Sequence, residues 1–240
     1  MIQNTLSDKV VLISGATGAL GSAVTREFAQ TDARLVLTAR SEQKLERLIA
    51  EAGLTAEQTF TIAADVTQPY GVRELVDAAV AHFGRVDVLL NTTGGWAGGA
   101  EVVETSVEKW DHMLGLNLRS AFLLSRAVLP LMLEAGWGRI VHVGSRTAVA
   151  PRAKRAAYAV SKMGLITLTE VIAAEAKGSG VTANVILPSV IDTPANRASM
   201  PKADPRKWVP PERIATTMRF LCSDAAASIN GARIPIYGAV

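Results

Sequence analysis

Val10-Val11-Leu12-Ile13-Ser14-Gly15-Ala16-Thr17-Gly18-Ala19-Leu20-Gly21 is the stretch on which the reading of the fold turns. A short apolar, β-branched run ends in a glycine turn, and an amphipathic segment over about 22–30 follows at once. Strand, glycine turn and helix in this order let backbone N–H groups approach a pyrophosphate at a helix N-terminus. An ordinary tight turn is the alternative, and the next segment weighs against it. Arg34–Ala39, Arg-Leu-Val-Leu-Thr-Ala, reads as a second strand and leads through Arg40 into a charged helix over 41–52. A dinucleotide fold that takes NAD carries an acid at this strand end for the ribose 2′-hydroxyl. Here Ala39 and Arg40 stand there. A guanidinium suits a 2′-phosphate, which favours NADP over NAD, although Arg40 would also serve as a solvated residue at a helix start.

The alternation continues outward from this unit. Thr59–Ala63 is a third strand ending at Asp65 and Val66, and Pro69–Phe83 is a helix. The apolar run 86–90 reads as a strand buried on both faces, as a central parallel strand is. It ends at Asn91-Thr92-Thr93-Gly94-Gly95-Trp96-Ala97-Gly98-Gly99, glycine-rich at the end of the strand where open parallel sheets bind ligands. Thr105-Ser106-Val107-Glu108 has the spacing of a capping box and opens a long helix reaching Pro130 or slightly beyond. Asn117 lies inside it, either exposed or held for a specific purpose.

Gly138–Val143 is a fifth strand ending at Gly144-Ser145, and a loop over 146–157 precedes a helix to about 177. A sixth strand over 181–187 ends at Pro188-Ser189. The segment 191–211, anchored by Trp208, reads as a mobile lid or long loop, so about 189–211 borders the substrate. Pro211–Cys222 returns to helix and Arg233–Ile236 is a last strand. The expectation is one α/β domain over 1–240: a Rossmann-type, doubly wound parallel sheet of about seven strands with helices on both faces.

Composition narrows the function classes. A hydrophobic content of 49% with 20% charged residues excludes a disordered chain. The 25 basic and 22 acidic residues are nearly balanced and form no long run of one sign, so no nucleic-acid partner is expected. The single cysteine, Cys222, lies in an apolar helical stretch and reads as a core thiol in a reducing compartment. The start, 1–10, is polar and lacks the apolar run of a signal peptide, and no stretch reads as a bilayer span, so a cytoplasmic protein without a membrane partner is expected. His82, His112 and His142 lack metal-ligand spacing, and no metal is expected.

Tyr158-Ala159-Val160-Ser161-Lys162 carries the chemistry. Residues four apart share a helix face, so the phenol and the ammonium can act together, although such pairs also occur on plain helix surfaces. A phenol titrates near ~10, and a neighbouring positive charge lowers that value. The expectation is therefore a tyrosine acid tuned by Lys162.

Taken together, Ser14-Gly15 through Gly21, Asp65, the Asn91 turn, Asn117, Ser145 thirteen residues before Tyr158, Lys162, and Pro188 with Thr193 resemble the short-chain dehydrogenase/reductase family from Asp8 to Tyr237. The resemblance implies hydride transfer between NADP(H) and a small-molecule carbonyl or alcohol substrate, a 3-oxoacyl thioester being one subset. It implies catalytic roles for Asn117, Ser145, Tyr158 and Lys162. Ser145 would bind the carbonyl, Tyr158 would act as general acid/base, Lys162 would also hold the nicotinamide ribose, and Asn117 would anchor a water. Cofactor contacts are implied for Ser14, Gly15, Thr17, Gly18, Leu20, Gly21, Arg40, Asp65, Val66, Asn91, Gly94, Tyr158, Lys162, Pro188, Ile191 and Thr193. A homo-oligomer, dimer or tetramer, is implied as well.

The chain departs from the family pattern at Ala19, at Thr92-Thr93 and at Ser189, and it lacks a second basic residue in the glycine turn. The 94–99 loop, Asp192 to Arg197, Met200-Pro201 and Trp208 look like segments of dihydropteridine reductases, which use NADH and lack the serine. Ser145 and Arg40 favour a carbonyl reductase over that reading, over a quinone reductase and over a non-catalytic cofactor-binding regulator. A serine hydrolase is excluded because no Gly-x-Ser-x-Gly elbow surrounds Ser145. Arg146, Arg152, Lys154 and Arg155 form a basic loop that either draws an anionic substrate or is a solvated face.

Overall fold

The computed structural model describes residues 6–239, so residues 1–5 of the polar start lie outside the described residues. Its strands are β1 Val10–Ser14, β2 Arg34–Ala39, β3 Thr59–Ala63, β4 Val88–Asn91, β5 Gly138–Val143, β6 Val181–Pro188 and β7 Arg233–Ile236. All are parallel and form one sheet in the order β3-β2-β1-β4-β5-β6-β7. The helices are α1 Ala19–Phe28, α2 Glu42–Ala52, α3 Pro69–Phe83, α4 Val107–Leu114, α5 Ser120–Ala135, α6 Arg146–Val149, α7 Ala156–Glu175, α8 Pro194–Ser199 and α9 Pro211–Cys222.

Strand periodicity builds the two-faced core. Val11 and Ile13 of β1 point to one face and join α1, α2 and α9 through Val24, Phe28, Leu45, Ile214 and Met218. Val10 and Leu12 point to the other and join α3, α5 and α7 through Val72, Leu75, Leu124, Val128 and Ile172. Cys222 is fully buried in the first layer, and burial pushes its thiol up to about 12, which suits a core thiol. Strand order reverses between β1 and β4, and the crevice at their carboxyl ends is the switch point of an open parallel sheet.

Several local expectations shift. Ser106, not Thr105, caps α4 by accepting from Lys109 N, while a capping box forms earlier, between Glu101 and Glu104. The long helix is interrupted at Gly115–Arg119 by a π-helical turn and then runs through Pro130 to Ala135. The loop after β5 begins with the four-residue α6. The segment read as a lid carries α8 and is tied at its base, where Ile191 bridges Val209 and Trp208 is buried. Two helical stretches, Val107–Ala135 and Ala156–Glu175, are by length and composition alone long and apolar enough to cross a membrane, where the sequence reading expected no such stretch. Each has a face packed into the core: Leu124 and Val128 on the first, Leu165 and Ile172 on the second.

Candidate active site

A cavity of about 670 Å³ opens at the switch point, lined by the segments that follow the first four strands. Gly15, Thr17 and Gly18 follow β1, Arg40 follows β2, Asp65 and Val66 follow β3, and Gly94 follows β4. Gly15 has φ +69, and a Cβ there would lie 2.9 Å from Thr93 N, so only glycine fits this turn. Gly18 caps α1 without a side-chain hydrogen bond, which leaves the first-turn N–H groups without a side-chain acceptor at the cavity edge. With Arg40 and Lys44 on the same wall, the cavity fits a nucleotide carrying phosphates.

Not every expected cofactor residue faces that space. Ser14 and Asn91 are buried and satisfy each other: Ser14 Oγ donates to Asn91 Oδ1 at 2.7 Å. Asn91 Nδ2 lies 3.3 Å from His142 Nδ1, and His142 Nε2 lies 3.1 Å from Ser125 Oγ. The amide donates to Nδ1, so the imidazole carries its proton on Nε2. Leu20 and Gly21 are buried behind the turn. Asp65 Oδ1 accepts from Thr67 N at 3.0 Å and Thr67 Oγ1 at 2.7 Å, which holds its carboxyl below the usual range. Pro188 ends β6, Ile191 sits in the bridge with Val209, and Thr193 caps α8 by accepting from Asn196 N at 3.1 Å. These three lie outside the cavity lining.

The four expected catalytic residues fall into two groups, Asn117 and Lys162 beneath Gly94, and Ser145 beside Tyr158. Asn117, in the π-helical turn, accepts from Gly95 N at 3.0 Å and donates to Gly95 O at 3.1 Å and Ser161 Oγ at 3.2 Å. Its amide therefore grips the glycine loop directly, a contact that spacing did not reveal. A Cβ on Gly94 would lie 2.9 Å from Asn117 Oδ1 and 3.1 Å from Lys162 Nζ, so the loop passes over both polar groups only because it is glycine. Ser145, at the end of β5, accepts from Thr147 N at 3.1 Å and interacts with the Tyr158 phenol by hydrogen bonding.

The electrostatics differ from the expectation in one respect. Lys162 is buried, donates to Val143 O at 2.7 Å, and burial pushes its ammonium down to about 8. Burial raises the Tyr158 phenol above its ordinary value; the Ser145 hydrogen bond and then the Arg155 charge oppose that rise. In this arrangement the charge that opposes the rise of Tyr158 is that of Arg155.

A profile of the short chain dehydrogenases matches residues 9–204. The chain belongs to the short-chain dehydrogenase family. It is similar to D-threitol dehydrogenase of Mycolicibacterium smegmatis, 37% identical over 97% of this chain and 93% of that protein. A 3-oxoacyl-[acyl-carrier-protein] reductase of Thermotoga maritima is 31% identical over 97% and 98%. A solved Bacillus thuringiensis structure assigned as a 3-oxoacyl-reductase superposes with a TM-score of 0.86 at 30% identity, covering 97% of this chain and 98% of its own. This short-chain dehydrogenase is thus an NAD(P)-dependent oxidoreductase acting on CH–OH or C=O groups.

Its departures from the family pattern have physical accounts. Thr92 Oγ1 donates to Ser14 O at 2.6 Å and Thr93 Oγ1 to Ser14 Oγ at 3.1 Å, stitching β4 to the glycine turn. Ser189 Oγ donates to Tyr237 O at 2.6 Å, tying the β6 end to the strand beside it. Sequence reasoning missed Lys44 and Arg119: beside Arg40, the cavity takes cations from the first turn of α2 and from the π-helical turn rather than from the glycine turn.

Proposed function

We propose that this dehydrogenase transfers hydride between NADP(H) and a small ketone or secondary alcohol, with Tyr158 as general acid/base. The observation that carries the chemistry is the placing of Ser145 at the carboxyl end of β5 beside Tyr158, whose phenol pKa it lowers, with the buried Lys162 one helical turn further along α7. When bound, the nicotinamide supplies the hydride. Ser145 positions the substrate oxygen, and Tyr158 gives it a proton as carbonyl becomes alkoxide, or takes one in the reverse direction. Lys162 would hold ribose hydroxyls, and Asn117 would keep the glycine loop and an adjoining water in place. Arg40 and Lys44, with no acid at the β2 end, support NADP over NAD. The names of the two relatives, a D-threitol dehydrogenase and a 3-oxoacyl reductase, support an alcohol or ketone substrate.

The decisive assay follows NADPH and NADH absorbance across ketones, quinones, pterins and 3-oxoacyl thioesters. Reduction of ketones with NADPH preferred is expected; turnover of pterins or quinones alone with NADH would replace this reading. The proposal extends to a cytoplasmic homo-oligomer, supported by exposed Phe122 on α5, which lines an open groove with Leu118 and Leu168, and by exposed Val171 on α7.

A further inference from the structure

The basic loop before α7 places its cations in unequal settings. Lys154 takes a positive φ of 66, pairs with Glu101 at 3.8 Å, and gives its carbonyl to Gly99 N at 2.8 Å. Arg146 lies over the Tyr237 ring at 5.0 Å, and Arg152 is exposed. Arg155 is half-buried, and its one hydrogen bond among the described residues is a long one, from Nη1 to Thr147 Oγ1 at 3.4 Å. No carboxylate among the described residues comes within ion-pair distance of it. A half-buried guanidinium with most of its five N–H donors unused is an unbalanced charge that an incoming anion would satisfy.

Its position says which anion. Thr147, which Arg155 touches, also donates its backbone N–H to Ser145, and Ser145 contacts Tyr158. Arg155 is thus one residue removed from Ser145, and its charge reaches the Tyr158 phenol.

We propose that Arg155 is a substrate-binding residue that recognises a carboxylate on the substrate, so that the substrate is an oxo acid or the matching hydroxy acid. The inference rests on the oxidoreductase reading above. One guanidinium balances one negative charge, and its fork matches a planar carboxylate in two parallel hydrogen bonds. The electrostatic reach of Arg155 to the Tyr158 phenol supports the same placement.

The test uses the full chain with NADPH or NADH and three matched pairs: 2-oxobutyrate, 3-oxobutyrate and 4-oxopentanoate, each against its methyl ester. For at least one pair the acid is expected to exceed its ester in kcat/KM by about tenfold or more, the effect of one charge-assisted hydrogen bond. Arg155→Gln should reduce that ratio about tenfold, and Arg155→Lys should retain more of it than the glutamine variant. Arg152→Gln, the same charge change on an exposed loop residue, should leave the ratio within about twofold. Equal kcat/KM for acid and ester in the unmodified enzyme overturns the inference and leaves the oxidoreductase reading standing. So does an equal loss for both in Arg155→Gln, or a ratio reduced as much by Arg152→Gln. Failure to reduce any compound of the wider panel overturns the reading and the inference together.

Discussion

Lys162 sets chemistry against stability. Its folded value of about 8 lies below the ordinary 10.5, so folding favours the neutral amine. That contribution is present above the unfolded value, is lost as pH falls from 10.5 to about 8, and leaves a penalty of about 3 kcal/mol at neutral pH. Lys162→Met is therefore expected to raise the unfolding free energy of the unliganded protein by about 1–2 kcal/mol, after loss of the bond to Val143 O, while abolishing turnover. Urea denaturation beside an activity assay checks both halves. A destabilised variant would mean that the Val143 contact outweighs the desolvation. Tyr158→Phe is expected to lower kcat by about 10²–10⁴-fold with NADPH affinity largely kept, because it removes the acidic hydroxyl and leaves the ring in place. Tyrosine burial also predicts that alcohol oxidation by the free enzyme needs higher pH than a solvated tyrosine would require.

At the scale of elements, the start of α2 and the middle of β5 carry separate predictions. Arg40→Ala should weaken NADPH about ten- to a hundredfold while NADH changes little, and adding Lys44→Ala should deepen the same bias. Equal losses for the two cofactors, measured by fluorescence titration, would remove the NADP assignment. On β5, burial first and then the Lys162 charge hold His142 at about 3, against 6.5 when solvated. Neutral His142 is favoured by the fold, so its contribution is full above 6.5 and lost as pH falls towards about 3. Between about pH 6.5 and pH 5 the loss is about 2 kcal/mol. His142→Asn should flatten that part of the stability curve, as followed by thermal melts; an unchanged slope would assign the acid sensitivity to other groups.

At the scale of the whole molecule, the homo-oligomer proposed above is tested at the apolar groove between the α4–α5 pair and α7. Phe122 is 46% and Val171 47% exposed, and neither packs into the sheet core. Phe122→Lys is expected to shift the protein towards monomer in sedimentation velocity, while the monomer's stability changes by less than about 0.5 kcal/mol. An unchanged assembly would exclude this face.

Much of the architecture was legible because it is written in local signals. Val10–Ser14, Arg34–Ala39, Pro69–Phe83, Gly138–Val143 and Pro211–Cys222 all form where apolar periodicity and a glycine or proline boundary agree. The glycine turn, the Arg40 position and the Ser145, Tyr158 and Lys162 spacing were likewise open to reading from order alone. What only the tertiary structure decided concerns groups distant in sequence and close in space. Asn117 holds Gly95 across 22 residues, and a π-helical turn that no propensity marks puts it there. Thr92 and Thr93, departures on the page, become ties to Ser14 once β4 lies beside β1. The charge acting on Tyr158 was read as Lys162 from helical spacing, yet burial raises the phenol and the basic loop brings Arg155 to oppose that rise. Sequence spacing determines which groups share a helix face; burial and neighbours distant in sequence, which exist only after packing, determine what a titrating group feels.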